Sequence, residues 1–259
     1  MDTVVHLAGM NAQDSLSDPV AALEFNGLAT ARLLRAAIAS GVRRFVHIST
    51  AHVYGSPLVG TISEMSATTS MHPYATSHRA GEDVVLFAQQ RGDIEGVVLR
   101  VSNSFGPPAH VGADCWMLLV NDLCRQAVTS RRMVLRSTGT QHRDFIPLTD
   151  LCRAIGHMVG LPRAGVGDGL YNVGGRWAPT IIEMAERIAD CCAEMYRFRP
   201  QVTRHEPLPG ESSAELDYRI DKLLKTGFVP AADVNSEIKA TLEFCAAATP
   251  ASVRPVDLQ

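Results

Sequence analysis

Short apolar, β-branched runs alternate over the first hundred residues with longer stretches whose apolar positions recur at helical spacing. Residues 3–7, 44–49 and 96–101 read as buried strands, and residues 20–40 and 74–90 as helices between them. The 20–40 stretch carries Leu23, Leu28, Ala31, Leu34 and Ile38, and Gly41 and Gly92 supply stops just beyond the two helices. This strand–helix order predicts a parallel sheet with helices on its faces. Such sheets bind ligands beyond the carboxyl ends of their strands. Those ends read Ala8-Gly9, Ser49-Thr50 and Ser102-Asn103, small or polar residues where a buried strand gives way. Further along, residues 115–127, 149–160, 180–193 and 236–245 carry helical patterns. Residues 133–135 read as a short strand and 207–211 as a loop, and the tail after Pro250 is expected to be loose.

With 259 residues, 46% of them hydrophobic, the chain can bury a core for one large domain or a domain with a subdomain. The net charge is -3 and no basic run stands out, which argues against a nucleic-acid partner. Six cysteines (Cys115, Cys124, Cys152, Cys191, Cys192 and Cys245) form no CxxC pair and read as reduced thiols of a reducing compartment. No apolar run approaches the roughly 20 residues that cross a bilayer, and MDTVVHLAG lacks the basic opening of a signal peptide. The expectation is a cytoplasmic chain with no membrane partner. His6, His72, His110 and His142 show no metal-ligand spacing, so no metal is expected. His47 and His52 read as ordinary packed or surface residues.

The second strand ends in Ser49-Thr50-Ala51-His52-Val53-Tyr54-Gly55. A hydroxyl at a strand end can hydrogen-bond a substrate oxygen. Tyr74 follows in Pro73-Tyr74-Ala75-Thr76-Ser77-His78 and opens a helix, so residue 78 lies one turn along the same face. A tyrosine paired with a cation at this spacing is a proton-transfer device, because the cation lowers the phenol from about 10 toward neutrality.

STxxVYG followed by Pro-Tyr-Ala-x-Ser resembles the catalytic region of the extended short-chain dehydrogenases/reductases. More narrowly, it resembles the NAD-dependent epimerase/dehydratase family that includes UDP-galactose 4-epimerase. The resemblance continues in order along nearly the whole chain. It takes in the strand Asp2-Thr3-Val4-Val5-His6-Leu7-Ala8-Gly9, Asn26 in NGLATARLL, and Leu99-Arg100-Val101-Ser102-Asn103-Ser104-Phe105-Gly106-Pro107. It then takes in Arg143-Asp144-Phe145-Ile146 with Asp150, Tyr171-Asn172-Val173-Gly174 and, loosely, Asp221-Lys222 with Gly227-Phe228-Val229-Pro230. Each motif alone is weak; their order and spacing together are strong.

The resemblance implies an α/β fold. It would be a partial Rossmann-like doubly wound parallel sheet, its first βαβαβ unit absent, with a smaller α/β substrate-binding lobe. Residues 1–107 plus 143–174 would form the nucleotide-binding part, and 108–142 plus 175–259 the lobe. Thr50 would polarise the substrate, and Tyr74 with His78 would be the acid/base pair. Leu7, Ala8, Gly9, Asn26, Ser49, Tyr74, His78 and Val101 would line NAD, with NADP as the other option. Asn103, Arg143 and Phe145 would hold the diphosphate of a sugar nucleotide, where an arginine fork suits phosphate. The helices over 20–40 and 74–90 would form a homodimer.

The chain departs from the family pattern at three places. The GxxGxxG turn and ribose selector are not in it, and Gly165-Val166-Gly167-Asp168-Gly169 follows no strand, so it fails that role; cofactor affinity is expected to fall without them. His78 stands where the family has lysine, and it reads either as a working replacement or as an impaired site, since histidine is mostly neutral at pH 7. Leu208-Pro209-Gly210-Glu211 lacks the arginine of the family's late diphosphate clamp, for which Arg204 or Arg219 are candidates. The family's 4,6-dehydratases carry Thr-Asp-Glu where this chain has Thr50-Ala51-His52, which disfavours elimination. The leading expectation is an epimerase that transiently oxidises a sugar hydroxyl. The alternatives are a sugar-nucleotide 4-reductase or dehydrogenase, and a catalytically impaired binding or dimerisation module.

Overall fold

The computed structural model describes residues 2–209 and 214–249. It divides into two compact units: Met1–Ser102 with Cys152–Gly174 and Tyr218–Val229, and Asn103–Leu151 with Gly175–Asp217 and Pro230–Gln259.

The first unit is built on a four-stranded sheet in the order Thr3–His6, Arg44–Thr50, Glu95–Val101, Leu170–Val173. Every pairing is parallel. The Glu95–Val101 strand is buried at all seven positions, as a central parallel strand must be when both faces are covered. Adjacent residues on Arg44–Thr50 report what covers each face. Phe45 packs with Leu34, Ala37, Val85 and Ala88 of two helices, Ala29–Ala39 and Pro73–Arg91. Arg44, on the other face, is fully buried. It donates to the carbonyls of Met158 (2.5 Å), Val159 (2.9 Å) and Leu161 (2.6 Å) at the end of the Leu148–Gly160 helix. These are carbonyls that a helix end cannot satisfy by itself. Glu95 balances the Arg44 charge at 2.5 Å. The sheet is thus α/β and parallel, as expected.

The 20–40 stretch differs from expectation. It is not one regular helix: Pro19–Ala22 and Ala29–Ala39 are α-helical, and Leu23–Leu28 between them is a π-helical turn. The reason lies in the polar demands on Asn26, whose side chain is bonded on both sides and whose carbonyl takes the Thr30 hydroxyl (2.6 Å). The Pro73–Arg91 helix ends as predicted, with Gly92 at φ 77°, the left-handed conformation that glycine adopts without strain. A short helix, Ala12–Ser17, was not anticipated.

The second unit holds two parallel pairs, Asn103–Phe105 with Phe145–Pro147 and Arg132–Val134 with Gln201–Thr203. Its helices Leu119–Ser130, Ile181–Tyr196 and Val234–Ala248 share a core of Leu123, Cys124, Met184, Ile188, Leu242 and Cys245. The first of these helices begins four residues later than residue 115, where the sequence pattern opened it, because residues 115–118 form a turn (Leu118 N to Cys115 O, 3.1 Å). Thr180 caps Ile181–Tyr196 in a reciprocal box with Glu183. All six cysteines are free thiols. Among the described residues no helix is long and apolar enough to cross a membrane. Residues 210 and 211 of the expected late loop, and the tail from residue 250, lie outside the described residues.

Candidate active site in the first unit

The strand Arg44–Thr50 delivers Ser49 and Thr50, both nearly buried, to the carboxyl edge of the sheet. The Thr50 hydroxyl accepts from His52 N (3.1 Å), which fixes the turn that follows. Pro73 occupies the first turn of the next helix and His72 caps it, its Nδ1 accepting from Tyr74 N (3.2 Å). Together these bring the Tyr74 phenol close enough to the Thr50 hydroxyl for the two to interact. Burial raises the Tyr74 phenol above its ordinary 10, and the Thr50 contact offsets part of that rise.

His78 follows one turn later. Its ring meets Tyr74 edge to face, with centroids 4.6 Å apart. Burial pushes His78 down to about 4, and the nearby His6 adds to the fall. The imidazole is therefore neutral at pH 7, and no cation stands beside Tyr74 at this position. Behind it lies His47, 6.2 Å from His78 between ring centres, and behind that His6, stacked on His47 at 5.6 Å. Burial, then the neighbouring histidines, take His47 down to about 3. The sequence reading treated His47 as unremarkable; its place in this row follows from the strand register, which pairs His6 with His47.

Leu7, Ala8 and Gly9 leave the first strand exposed to solvent. The Gly9 backbone lies against His78: a Cβ there would come within 3.3 Å of the ring. Asn26 is 1% exposed and spent within the protein, accepting from Met10 N (2.7 Å) and donating to Ser77 Oγ (2.9 Å). It therefore ties the strand end to the Tyr74 helix. Ser49 gives its hydroxyl to Glu82 (2.6 Å), and Val101 is buried at its strand end.

Glu82 opens a network that sequence reasoning missed. Fully buried, it takes a forked pair of hydrogen bonds from Arg100 (2.6 and 3.0 Å). Burial works against the Arg100 charge, but the bonds to Glu82 and its charge outweigh that and hold the guanidinium above its ordinary value. Arg100 also lies 4.8 Å over the Tyr54 ring. The Tyr54 hydroxyl donates to Asn172 (2.7 Å), which Tyr218 also reaches (3.1 Å). A cleft of about 620 Å³ lined by Tyr54, Pro57, Val59, Thr69 and His72 opens in the same unit; neither Thr50 nor Tyr74 lines it.

Asn103, Arg143 and Phe145 belong to the second unit. Asn103 pairs in register with Phe145 and donates through Nδ2 to the Asp144 carbonyl (2.9 Å). Arg143 donates to Gln141 (3.1 Å), and burial lowers it from its ordinary value. The Phe145 ring is buried between Phe105 and Trp177, so it acts through packing rather than as an open contact. Of the two stand-ins considered for the late clamp, Arg204 donates to the Thr138 carbonyl (2.7 Å).

Residues 1–174 match the model of the NAD dependent epimerase/dehydratase family. The chain belongs to that family. A dTDP-glucose 4,6-dehydratase of Streptomyces niveus is 30% identical over 79% of this chain, and this chain spans 60% of that protein's length. Among solved structures, RMD from Pseudomonas aeruginosa complexed with NADPH superposes with a TM-score of 0.80 at 23% identity, covering 96% of this chain and 82% of that one. A UDP-N-acetylglucosamine 4-epimerase from Methanobrevibacter ruminantium M1, in complex with UDP-N-acetylmuramic acid, superposes at 0.79 with 22% identity, covering 96% and 77%. At these identities the structural matches speak for the fold.

Proposed function

We propose that the chain acts in NAD(P)-dependent oxidoreduction at the sugar of a sugar nucleotide, as an epimerase-type member of its family. The observation that carries this reading is the pairing of buried Thr50 with half-buried Tyr74 at the carboxyl end of the sheet. A sugar oxygen held between them would be polarised by Thr50 and would exchange a proton with Tyr74. Leu7, Ala8 and Gly9 are assigned to a flat cofactor ring, since they are exposed at the end of the first strand and Gly9 lies against the His78 ring with no side chain of its own. The nicotinamide, when bound, supplies the hydride acceptor. Asn26 serves that edge by holding the backbone of Met10, Ser49 and Val101 are assigned to it from the neighbouring strands, and the first unit is read as the nucleotide-binding part. In the second unit, read as the substrate lobe, Asn103 and Arg143 are assigned to the diphosphate.

Elimination of water needs an acid and a base beside the reacting carbons, and the residues after Thr50 are Ala51 and His52, with no carboxylate. This favours epimerase over dehydratase chemistry, although relatives carry both names. The test is to incubate the chain with NAD and UDP- or dTDP-hexoses and follow the sugar by NMR. Tyr74→Phe is expected to lower kcat by about 10²–10⁴-fold with sugar-nucleotide affinity kept. A parent chain that neither binds nor converts any of these sugars sinks the proposal.

A second reading, association into homodimers, draws on one observation. Leu16, Val20, Leu23, Phe25, Leu28 and Phe87 are each 45% exposed or more. Exposed apolar side chains in this number on neighbouring helices fit an association face. Light scattering that finds only monomer at micromolar concentration counts against it.

A further inference from the structure

Three imidazoles come together in the first unit from separate elements: His6 and His47 from neighbouring strands, and His78 from the helix that carries Tyr74. Their rings form a row, 5.6 Å and then 6.2 Å between centres, that ends 4.6 Å from the Tyr74 ring. His6 alone in the row has a hydrogen-bond partner, the Thr30 hydroxyl (3.0 Å). Both nitrogens of His47 and Nδ1 of His78 are buried without one. The His78 backbone lies near enough to favour a charged His47 slightly, but not in hydrogen-bond geometry.

What faces the row matters as much as the row. The first strand presents His6, and the second presents His47 and Thr50. The turn after it presents His52, 6.3 Å from Tyr74. The helical segment over residues 23–39 presents Asn26 and Thr30. On the row's own helix, Glu82 is taken by Arg100 and Ser49, and Arg79 pairs with Asp83 (2.9 Å) and lies 3.7 Å from Glu82. Among the described residues that face the row no carboxylate is left to hold an imidazolium, and a charge on any one ring repels a charge on the next.

We propose that the His6–His47–His78 row is a charge-excluding wall that holds Tyr74 in its protonated form, so that at neutral pH the site favours the ketone-reducing half of the reaction and hydroxyl oxidation is the pH-limited half. The inference rests on the oxidoreductase reading above. In balance, the Tyr74 proton goes to the carbonyl oxygen and a hydride from a reduced nicotinamide goes to the carbonyl carbon, giving the alcohol; the phenolate regains its proton from water. With no side-chain cation in contact, the phenolate needed to remove a hydroxyl proton is scarce at pH 7. His6, His47 and His78 are positioning residues in this scheme, acting through the protonation state of Tyr74.

The test needs no cofactor. Tyrosinate absorbance titrated in the parent and in Tyr74→Phe gives the Tyr74 ionisation by difference, and proton NMR of the imidazoles gives the row. In the parent, Tyr74 is expected to ionise above about pH 10, and none of the three rings to titrate near 6.5. His78→Lys is expected to bring Tyr74 down by about 1–3 units, raising the tyrosinate fraction at pH 9 about fivefold or more. Parent Tyr74 ionising below about pH 8, or one of the three rings titrating near 6.5, overturns the proposal. So does a His78→Lys variant, folded by circular dichroism, that leaves Tyr74 unmoved. In turnover, ketone reduction is expected to be flat from about pH 6 to 9 and alcohol oxidation to rise about tenfold per pH unit. Absence of turnover in both directions with the titrations as expected defeats the oxidoreductase reading and leaves the wall standing.

Discussion

His78 and Glu82 lie one turn apart on the Pro73–Arg91 helix, both buried, in opposite surroundings. Glu82 meets a guanidinium fork and a hydroxyl, and Arg100 in turn lies over an aromatic face. His78 meets the His47 imidazole, with His6 behind it, and a phenol edge. The contrast teaches what a parallel sheet can hold at its ligand-binding edge. Charge survives burial where geometry supplies a full set of partners, and where it does not, the side chain stays neutral. The charged cluster ties the helix to two strands, and the neutral one borders the reacting tyrosine.

The comparison breaks most visibly if one partner of the ion pair is removed. Arg100→Met leaves Glu82 buried without its counter-charge and is expected to cost about 3–5 kcal/mol in denaturant unfolding. The double change Glu82→Leu with Arg100→Met should cost clearly less. If the single change cost no more than the double, the pair would not be holding a buried charge.

The histidine side should instead answer to pH. His47 and His78 sit below their ordinary 6.5 in the folded chain, so the unfolded chain takes up protons first as the pH falls. Their contribution is whole above about 6.5, shrinks as the pH drops, and is exhausted by about 4 to 3, where the folded rings take protons too. For His47 alone this is on the order of 3 kcal/mol between pH 7 and 4. His47→Leu should flatten that part of the stability profile by this amount, and an unchanged slope would show that the ring is charged or solvated in the fold.

The smallest effect sharpens the same contrast through packing. A Cβ on Gly81 would lie 3.0 Å from both the Asn26 carbonyl oxygen and His47 Nε2. Gly81→Ala is expected to cost about 1–3 kcal/mol by thermal unfolding. A neutral result would mean that the helix and the row are more loosely packed than these distances imply.

The strands were legible because Phe45, Val46 and Ile48, and Val97, Val98, Leu99 and Val101, make short, largely apolar runs, a pattern that a parallel sheet covered on both faces selects. Thr50 and Tyr74 were legible as a motif around a strand end and a helix start, where local chain direction does most of the placing. The histidine row was not, because it depends on the pairing of His6 with His47 across strands, and register is set by tertiary packing. The Glu82–Arg100 pair was hidden for a similar reason, since helix and strand positions eighteen residues apart meet only once the helix is docked. The late start of Leu119–Ser130 was missed because residues 115–118 carry apolar side chains at plausible helical spacing while their backbone forms a turn.

The π-helical turn over Leu23–Leu28 bears on how this chain tolerates changes in length. A wide turn holds one residue more than an α turn between flanks that keep their faces. Removing one residue there would let a regular helix close, with Leu34 and Ala37 still directed at the sheet. What would be erased is the reach of Asn26 from Met10 to Ser77. The surplus residue is one the scaffold can spare, and its sole local return is the span that joins the exposed strand end to the tyrosine helix.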